Sequence, residues 1–129
     1  MSKQKIITEN IRDGEMYAGL ILGKDGASDY HIFLQPGDVA DVTWQAAMNW
    51  AKEVGADLPT RCEQALLFAN LKEQFQPCEY WSVEQHGPSS ADAWYQYFFN
   101  GFQGYNQKSH EGRARAVRRL QISEHQENQ

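Results

Sequence analysis

Cysteine and histidine are the side chains best able to do chemistry in this sequence, and their spacing matches no catalytic or metal-binding pattern. The two cysteines, Cys62 and Cys78, are too few for a disulfide scaffold, and we read both as structural, with a disulfide between them left open. The four histidines are scattered along the chain: His31, His86, His110 and His125. No nucleophile–base arrangement, phosphate-binding loop or zinc spacing is visible. We therefore predict no catalytic residue, no metal and no cofactor.

Side chains suited to binding are concentrated between residues 80 and 120. Nine of the 16 aromatic residues lie between Tyr80 and Tyr105, and five of the 12 Lys and Arg residues lie between Lys108 and Arg119. Aromatic rings offer large contact areas at low entropic cost and dominate the energetics of interfaces. This part of the chain is where we expect a binding surface.

An aromatic stretch from residue 93 to residue 102 stands at the centre of this region. Its aromatic bias and the Asn100-Gly101 pair predict a strand that enters a tight hairpin. Side chains alternate between the two faces of a strand. One face receives Ala93, Tyr95, Tyr97 and Phe99, and the other receives Trp94, Gln96 and Phe98. Since both faces are aromatic, either the fold covers the second face or that face binds a partner.

Composition fits a single domain, with 129 residues, 41% hydrophobic and 22% charged. The net charge of −5 argues against a nucleic-acid partner. The basic segment 113–119 does not change this, because strand arginines on opposite faces cannot all reach one phosphate backbone. We interpret it as a solvated face with one structural arginine, Arg118, beside which we expect a carboxylate. No apolar run is long enough to span a membrane, and Met1–Asp13 has no apolar core of a signal peptide, so a cytoplasmic location is expected.

Local patterns predict a flexible N-terminus over 1–13, one domain over 14–122 and a disordered tail over 123–129. Strands are predicted over 16–22, 30–34, 80–84, 93–99, 102–106 and 113–120, and helices over 43–54 and 61–75. Thr60 and Glu63 have the spacing of a capping box at the start of the second helix. Trp81 and Trp94 are assigned structural roles in the core.

Four short motifs resemble those of the Lcl C-terminal-domain-like family, whose bacterial and phage members are largely uncharacterised. The motifs are Thr43-Trp44-Gln45-Ala46-Ala47, Leu58-Pro59-Thr60-Arg61, Tyr80-Trp81-Ser82, and Ala93-Trp94 leading to Arg115-Ala116-Val117-Arg118. The resemblance spans residues 16–120 and implies an α+β, C-type lectin-like fold. In that fold two helices pack on a small, mostly antiparallel twisted sheet and the chain ends pair, so Met16–Leu22 is expected to pair with Arg113–Leu120. Short members look like prophage proteins, which adds a phage particle as a second expected location.

The same resemblance implies a function without catalysis. Variable proteins of diversity-generating retroelements share the fold and bind ligands through the region that corresponds to residues 94–110. The candidate ligand-binding residues are Tyr95, Tyr97, Phe99, Phe102, Tyr105, Asn106, Lys108 and His110. We expect a binding module for a protein or glycan, with no membrane partner.

The aromatic face and the fold family allow three other functions. The aromatic face could be the subunit interface of a homo-oligomeric structural or accessory phage protein. An enzyme of formylglycine-generating-like fold is a further alternative, but Cys62 and Cys78 do not supply its reactive cysteine pair. Calcium-dependent sugar binding is not expected, since the Glu-Pro-Asn or Gln-Pro-Asp loop and the Trp-Asn-Asp motif of calcium-binding lectins are absent.

Overall fold

The computed structural model describes residues 2–88 and 90–121. The chain is α+β, as predicted, and the described residues form three α-helices and two β-sheets. The helices are α1 (Lys3–Asn10), α2 (Trp44–Glu53) and α3 (Arg61–Leu71), which a 3₁₀ turn (Lys72–Gln74) extends. The strands are β1 (Met16–Ile21), β2 (Tyr30–Leu34), β3 (Val39–Val42), β4 (Glu79–Gln85), β5 (Asp92–Tyr97), β6 (Gln103–Gln107), β7 (Gly112–Ala114) and β8 (Val117–Gln121). Three expectations lie outside the described residues: the domain end at 122, the tail 123–129 and His125.

The first sheet has the strand order β1-β2-β8 and is antiparallel throughout. The predicted pairing of Met16–Leu22 with Arg113–Leu120 is wrong, because β2 lies between these two segments. Leu34 is opposite Met16 on one side and opposite Val117 on the other. Strands that follow each other along the chain pair readily, so β1 takes one edge of β2 and leaves the other edge for β8.

The second sheet has the order β3-β7-β4-β5-β6, and β4 and β7 run parallel. The predicted strand 113–120 is divided between the two sheets, since β7 belongs to the second sheet and β8 to the first. Between them, Arg115 donates to the carbonyl oxygens of Gln74 and Gln35, at 2.6 and 2.8 Å. The buried Ala116 also accepts a hydrogen bond from the Gln35 N–H at 2.9 Å. These contacts fix the crossing from one sheet to the other.

Two buried clusters cover the two faces of the second sheet. Tyr80 and Phe98 pack in a cluster with Leu67 of α3 and with the first sheet. The next residue, Trp81, packs in the other cluster with Ala47 of α2. Adjacent strand residues thus enter different cores. This explains why two adjacent aromatic residues of β4 are both buried, and Trp81, predicted to be a core residue, is one of them.

The capping box that opens α3 is confirmed. The Glu63 N–H donates to Thr60 Oγ1 at 3.1 Å, and the Thr60 N–H donates to Glu63 Oε1 at 2.8 Å. The Glu63 carboxylate is fully buried and also accepts hydrogen bonds from Arg119 Nε at 2.6 Å and from the Tyr30 hydroxyl at 2.7 Å. The cap therefore ties α3 to β2 and β8 as well as satisfying its own amides.

The N-terminal segment 1–13, predicted to be flexible, contains α1, which begins at a hydrogen bond from the Lys5 N–H to Ser2 Oγ. Arg118 connects this segment to β8 by donating to the Asn10 carbonyl oxygen at 2.8 Å and to the Glu15 carboxylate at 2.7 Å. The carboxylate expected beside Arg118 is thus confirmed as Glu15. The mobility of the segment stays a prediction.

Candidate functional site

The hairpin of β5 and β6 is closed by a turn over residues 98–101 that contains the predicted Asn100-Gly101 pair. The predicted strand 93–99 is two residues too long, because β5 ends at Tyr97. Gly101 has a φ of +85°, a backbone conformation that residues other than glycine rarely adopt. Its N–H donates to the Tyr97 carbonyl oxygen at 2.7 Å, and Asn100 Oδ1 accepts from the Phe102 N–H at 3.0 Å. Because a Cβ on Gly101 would stand 3.0 Å from the Phe68 ring, the turn sits directly on α3. The hairpin is therefore a firmly held platform.

One surface of this platform brings together four of the eight predicted ligand-binding residues. We call this surface the hairpin face, and it consists of Tyr95, Tyr97, Phe102 and Asn106. Tyr95 is opposite Gly104 in the strand register. A Cβ on Gly104 would lie 2.8 Å from the Phe102 ring and 2.9 Å from the Tyr95 hydroxyl, so both rings lie over this glycine. A side chain at position 104 would displace them.

The inner part of the hairpin face merges with the core. Tyr95 is half-buried and packs beside the cluster that contains Trp81. Burial, together with the nearby Glu79 carboxylate, raises the pKa of Tyr95 above its ordinary value. Glu79 is opposite Tyr97 and lies 3.4 Å from His110 Nε2, which places the predicted residue His110 at the border of the hairpin face.

Phe99 extends the hairpin face around the turn. Its side chain is 62% exposed, and its ring centroid lies 5.8 Å from that of Tyr97. On its other side Phe99 lines a groove of about 410 Å³ together with Phe75, Pro77 and Phe98, and with Lys72 and Glu73. Phe98 is buried and stacks on Phe75 at a centroid distance of 3.9 Å. The groove therefore has a rigid aromatic floor and one exposed aromatic wall.

Tyr105 lies on the opposite face of the hairpin from Tyr97 and Phe102, with which it was predicted to form one ligand-binding surface. The register places it opposite Trp94, and its ring stacks on His86 at 3.8 Å. Trp94 belongs to the same surface cluster: it is half-buried, and the Arg61 guanidinium lies 3.6 Å from its ring centroid. The expectation that Trp94 is a core residue is corrected accordingly.

Lys108, also a predicted ligand-binding residue, is occupied by contacts within the fold. Its ammonium donates to Gln85 Oε1 at 2.6 Å and lies 4.6 Å from the Trp44 ring centroid. Its backbone N–H donates to the Ala91 carbonyl oxygen at 2.9 Å. Lys108 therefore fixes the far end of β6, and no structural feature marks it for contact with a ligand.

A chain of glutamine amides lies beneath the hairpin and was not predicted from the sequence. Gln103 Nε2 donates to Gln96 Oε1 at 2.9 Å, and Gln96 Nε2 donates to the Gln64 carbonyl oxygen at 2.6 Å. Gln64 Nε2 in turn donates to the Tyr80 carbonyl oxygen at 3.0 Å. Gln103 also exchanges two hydrogen bonds with Arg61, at 2.8 and 3.1 Å. The chain locks the hairpin to α3 and β4, and polar residues inside an aromatic strand were its only sequence signal.

The described histidines and cysteines lie in separate places in the fold. His31 is buried and bonded to the Tyr17 hydroxyl at 2.7 Å, and burial lowers its pKa. His86 stacks on Tyr105, whereas His110 lies beside Glu79. Cys62 is exposed and Cys78 half-buried, and both are free thiols. Within residues 2–88 and 90–121, no three His, Cys, Asp or Glu side chains are grouped so that they could hold a metal ion.

Across the described residues of the chain, no helix combines the length and the apolar character needed to cross a membrane. The resemblance to the Lcl C-terminal-domain-like family stays a prediction from four short motifs. No protein-family model matches the chain, and neither does any curated protein sequence.

Proposed function

We propose that the chain is a non-enzymatic binding module of C-type lectin-like fold that presents the hairpin face and Phe99 to a protein or glycan partner. The observation that carries the proposal is the exposure of two large apolar rings, Phe99 at 62% and Phe102 at 59%, beside one rigid turn. Adjacent exposed rings on a pre-organised support are typical of binding surfaces. A phage or prophage origin, and a place in the cytoplasm or in a phage particle, form part of the proposal through the resemblance alone.

Rigidity supports this function as much as exposure does. The hairpin is held by the Asn100-Gly101 turn, by Phe68 behind it and by the amide chain of Gln103. A ligand would therefore meet rings that are already ordered, and binding would not have to order the loop. The adjoining groove floor of Phe75 and Phe98 would accept an apolar group of the partner.

The test compares the double variant Phe99→Ala/Phe102→Ala with wild type on a glycan array and in affinity capture from cell extracts. We expect ligands of the wild type to bind the double variant at least tenfold more weakly, since loss of an aromatic hot spot costs about 2 kcal/mol or more. The matched control is Leu22→Ala, which removes a side chain that is 67% exposed and lies outside the hairpin. Ligands that bind all three proteins equally would contradict the proposal.

The second candidate function is a homo-oligomeric structural or accessory protein in which the same rings form the subunit interface. The observation that favours it is also the exposure of Phe99 and Phe102. Size-exclusion chromatography of the wild type and of the double variant over a wide concentration range separates the two candidates. Under the second one, the wild type associates as its concentration rises and the double variant stays monomeric.

A further inference from the structure

Four strand edges of the two sheets have no neighbouring strand among the described residues. Three of the four carry an irregularity or a bridge that hinders pairing with another chain. Strands β1 and β3 each contain a register shift. The outer edge of β8 is bridged at Val117 by Asp57. Bulges, charges and covering segments are the usual means by which proteins keep an edge strand from pairing with another chain.

The fourth edge, β6, lacks these protections. Its register with β5 is continuous from Gln96 opposite Gln103 to Asp92 opposite Gln107. Residues 102–107 contain no charged side chain and no proline. A regular, uncharged edge of this kind is a template for another strand.

The backbone groups on this edge follow from the hydrogen-bond pattern. In an antiparallel ladder, every second residue bonds to the neighbouring strand. The Tyr97 N–H donates to the Phe102 carbonyl oxygen at 2.7 Å, so the backbone groups of residues 102, 104 and 106 point toward β5. Three residues of β6 point outward instead: Gln103, Tyr105 and Gln107.

Gln107 already uses its outward groups. Its N–H donates to Asn106 Oδ1 at 2.9 Å, and its carbonyl oxygen accepts from the His110 N–H at 2.9 Å. Gln103 and Tyr105 keep one N–H and one C=O each without a partner among the described residues. The free part of the edge therefore offers two donors and two acceptors.

We propose that β6 pairs in antiparallel fashion with β6 of a second copy of the chain, about a two-fold axis at Gly104. In this register Gln103 of each copy is opposite Tyr105 of the other, and all four free groups form hydrogen bonds. Moving the axis to Tyr105 would set Gln103 opposite Gln107, whose backbone groups are occupied. Self-complementarity of this kind is what a two-fold interface requires.

Glycine at the axis suits this register. The two Gly104 residues form a pair without mutual hydrogen bonds, in which the backbones approach most closely. The space above each glycine is filled by the Tyr95 and Phe102 rings of its own copy. The same register sets Phe102, 59% exposed, opposite Asn106 of the second copy. Two five-stranded sheets become continuous, and two hairpin faces lie side by side with the Phe99 grooves open.

This dimer does not depend on the proposed function, and it differs from association through the aromatic rings. Residue-resolved amide hydrogen exchange distinguishes them. We expect exchange at Gln103 and Tyr105 to slow at least tenfold as the protein concentration rises, while Gly104 and Asn106 are protected throughout. Exchange at Gln103 and Tyr105 that is fast at every concentration, or a chain that stays monomeric in sedimentation, would overturn the proposal.

A pair of variants at one position gives a second test. Because the Tyr105 N–H points outward, Tyr105→Pro removes no hydrogen bond within the copy. We expect Tyr105→Pro to be monomeric and Tyr105→Ala, which keeps the N–H, still to dimerise. Dimerisation of Tyr105→Pro, or its loss in Tyr105→Ala, would overturn the edge pairing. If Tyr105→Pro fails to fold, the exchange measurement on the wild type decides.

Discussion

The arginine-rich segment 113–119 and the aromatic hairpin differ in how many of their side chains are bound within the fold and how many stay exposed to solvent. All four arginines of the segment are bound internally: Arg113 to Asp38, Arg115 to the carbonyl oxygens of Gln74 and Gln35, Arg118 to Glu15, and Arg119 to Glu63 and Asp57. The solvated face expected for this segment is therefore wrong. These arginines hold the two sheets, α3 and the N-terminal segment together.

The hairpin shows the opposite outcome. Phe98 and Gln96 are buried in the fold, whereas Phe99, Phe102 and Tyr105 are more than half exposed. Enrichment in side chains that can bind does not identify a binding surface, because an intramolecular partner can occupy them. The informative quantity is what remains exposed after folding, and here that is aromatic.

The largest effect is expected for Arg119→Ala. The substitution leaves the Glu63 carboxylate fully buried without its ion pair, and an unpaired buried charge costs about 3–5 kcal/mol. Chemical denaturation measures the change in the free energy of unfolding. The matched control is Arg12→Ala, which removes an exposed guanidinium and should change stability by less than about 0.5 kcal/mol. Equal stability of the two variants would show that Arg119 belongs to a solvated face after all.

Acid should weaken the fold through Glu15. Hydrogen bonds from Arg118 lower the pKa of Glu15 from 4.5 to about 2, and its side chain is 1% exposed. A lowered folded-state pKa contributes stability above pH 4.5 that is lost as the pH falls toward 2, about 3 kcal/mol in all. Unfolding free energies of the wild type and of Arg118→Ala across this range measure it. We expect the variant to lose much of this pH dependence, and parallel curves would contradict the role of the pair.

The smallest effect on stability is expected for Phe102→Ala. Because more than half of the ring is exposed, its removal should cost less than about 1 kcal/mol. A thermal melt of the monomer at low concentration measures this cost without any contribution from association. A loss of about 2 kcal/mol or more in the free energy of unfolding would show that Phe102 stabilises the fold, as the four arginines do.

Local features of the fold were predictable from the sequence. The Thr60–Glu63 capping box depends on two residues three positions apart, so the pattern contains all the necessary information. The Asn100-Gly101 pair predicted the place of the hairpin turn but not its length, because the turn also includes Phe98 and Phe99. The carboxylate beside Arg118 was predictable in kind, because a charge on an apolar face needs a partner. Its identity was not, since Glu15 lies 103 positions away.

Features set by long-range packing were not predictable. The order of β1, β2 and β8 depends on which edge of β2 each strand reaches. The division of segment 113–120 depends on a sheet crossing that no turn residue marks. Within the site, the register of the hairpin is set by a turn over residues 98–101 that puts Tyr97 opposite Phe102, and the Asn100-Gly101 pair alone favours a two-residue turn. The face of Tyr105 was predictable, because strand alternation separates it from Phe102, three positions earlier.

The central position of β2 in the first sheet has a consequence for the time course of folding. Tyr30 is opposite Gln121, so β2 gains its second neighbour only after almost the whole described chain has been synthesised. Until residues 117–121 leave the ribosome, one edge of β2 and the fully buried Ile32 and Leu34 lack part of their native cover. Pairings this distant in sequence also slow folding, because a long loop must close before any contact stabilises it. Folding of the first sheet is therefore expected to be slow and to be completed only after residues 117–121 have left the ribosome.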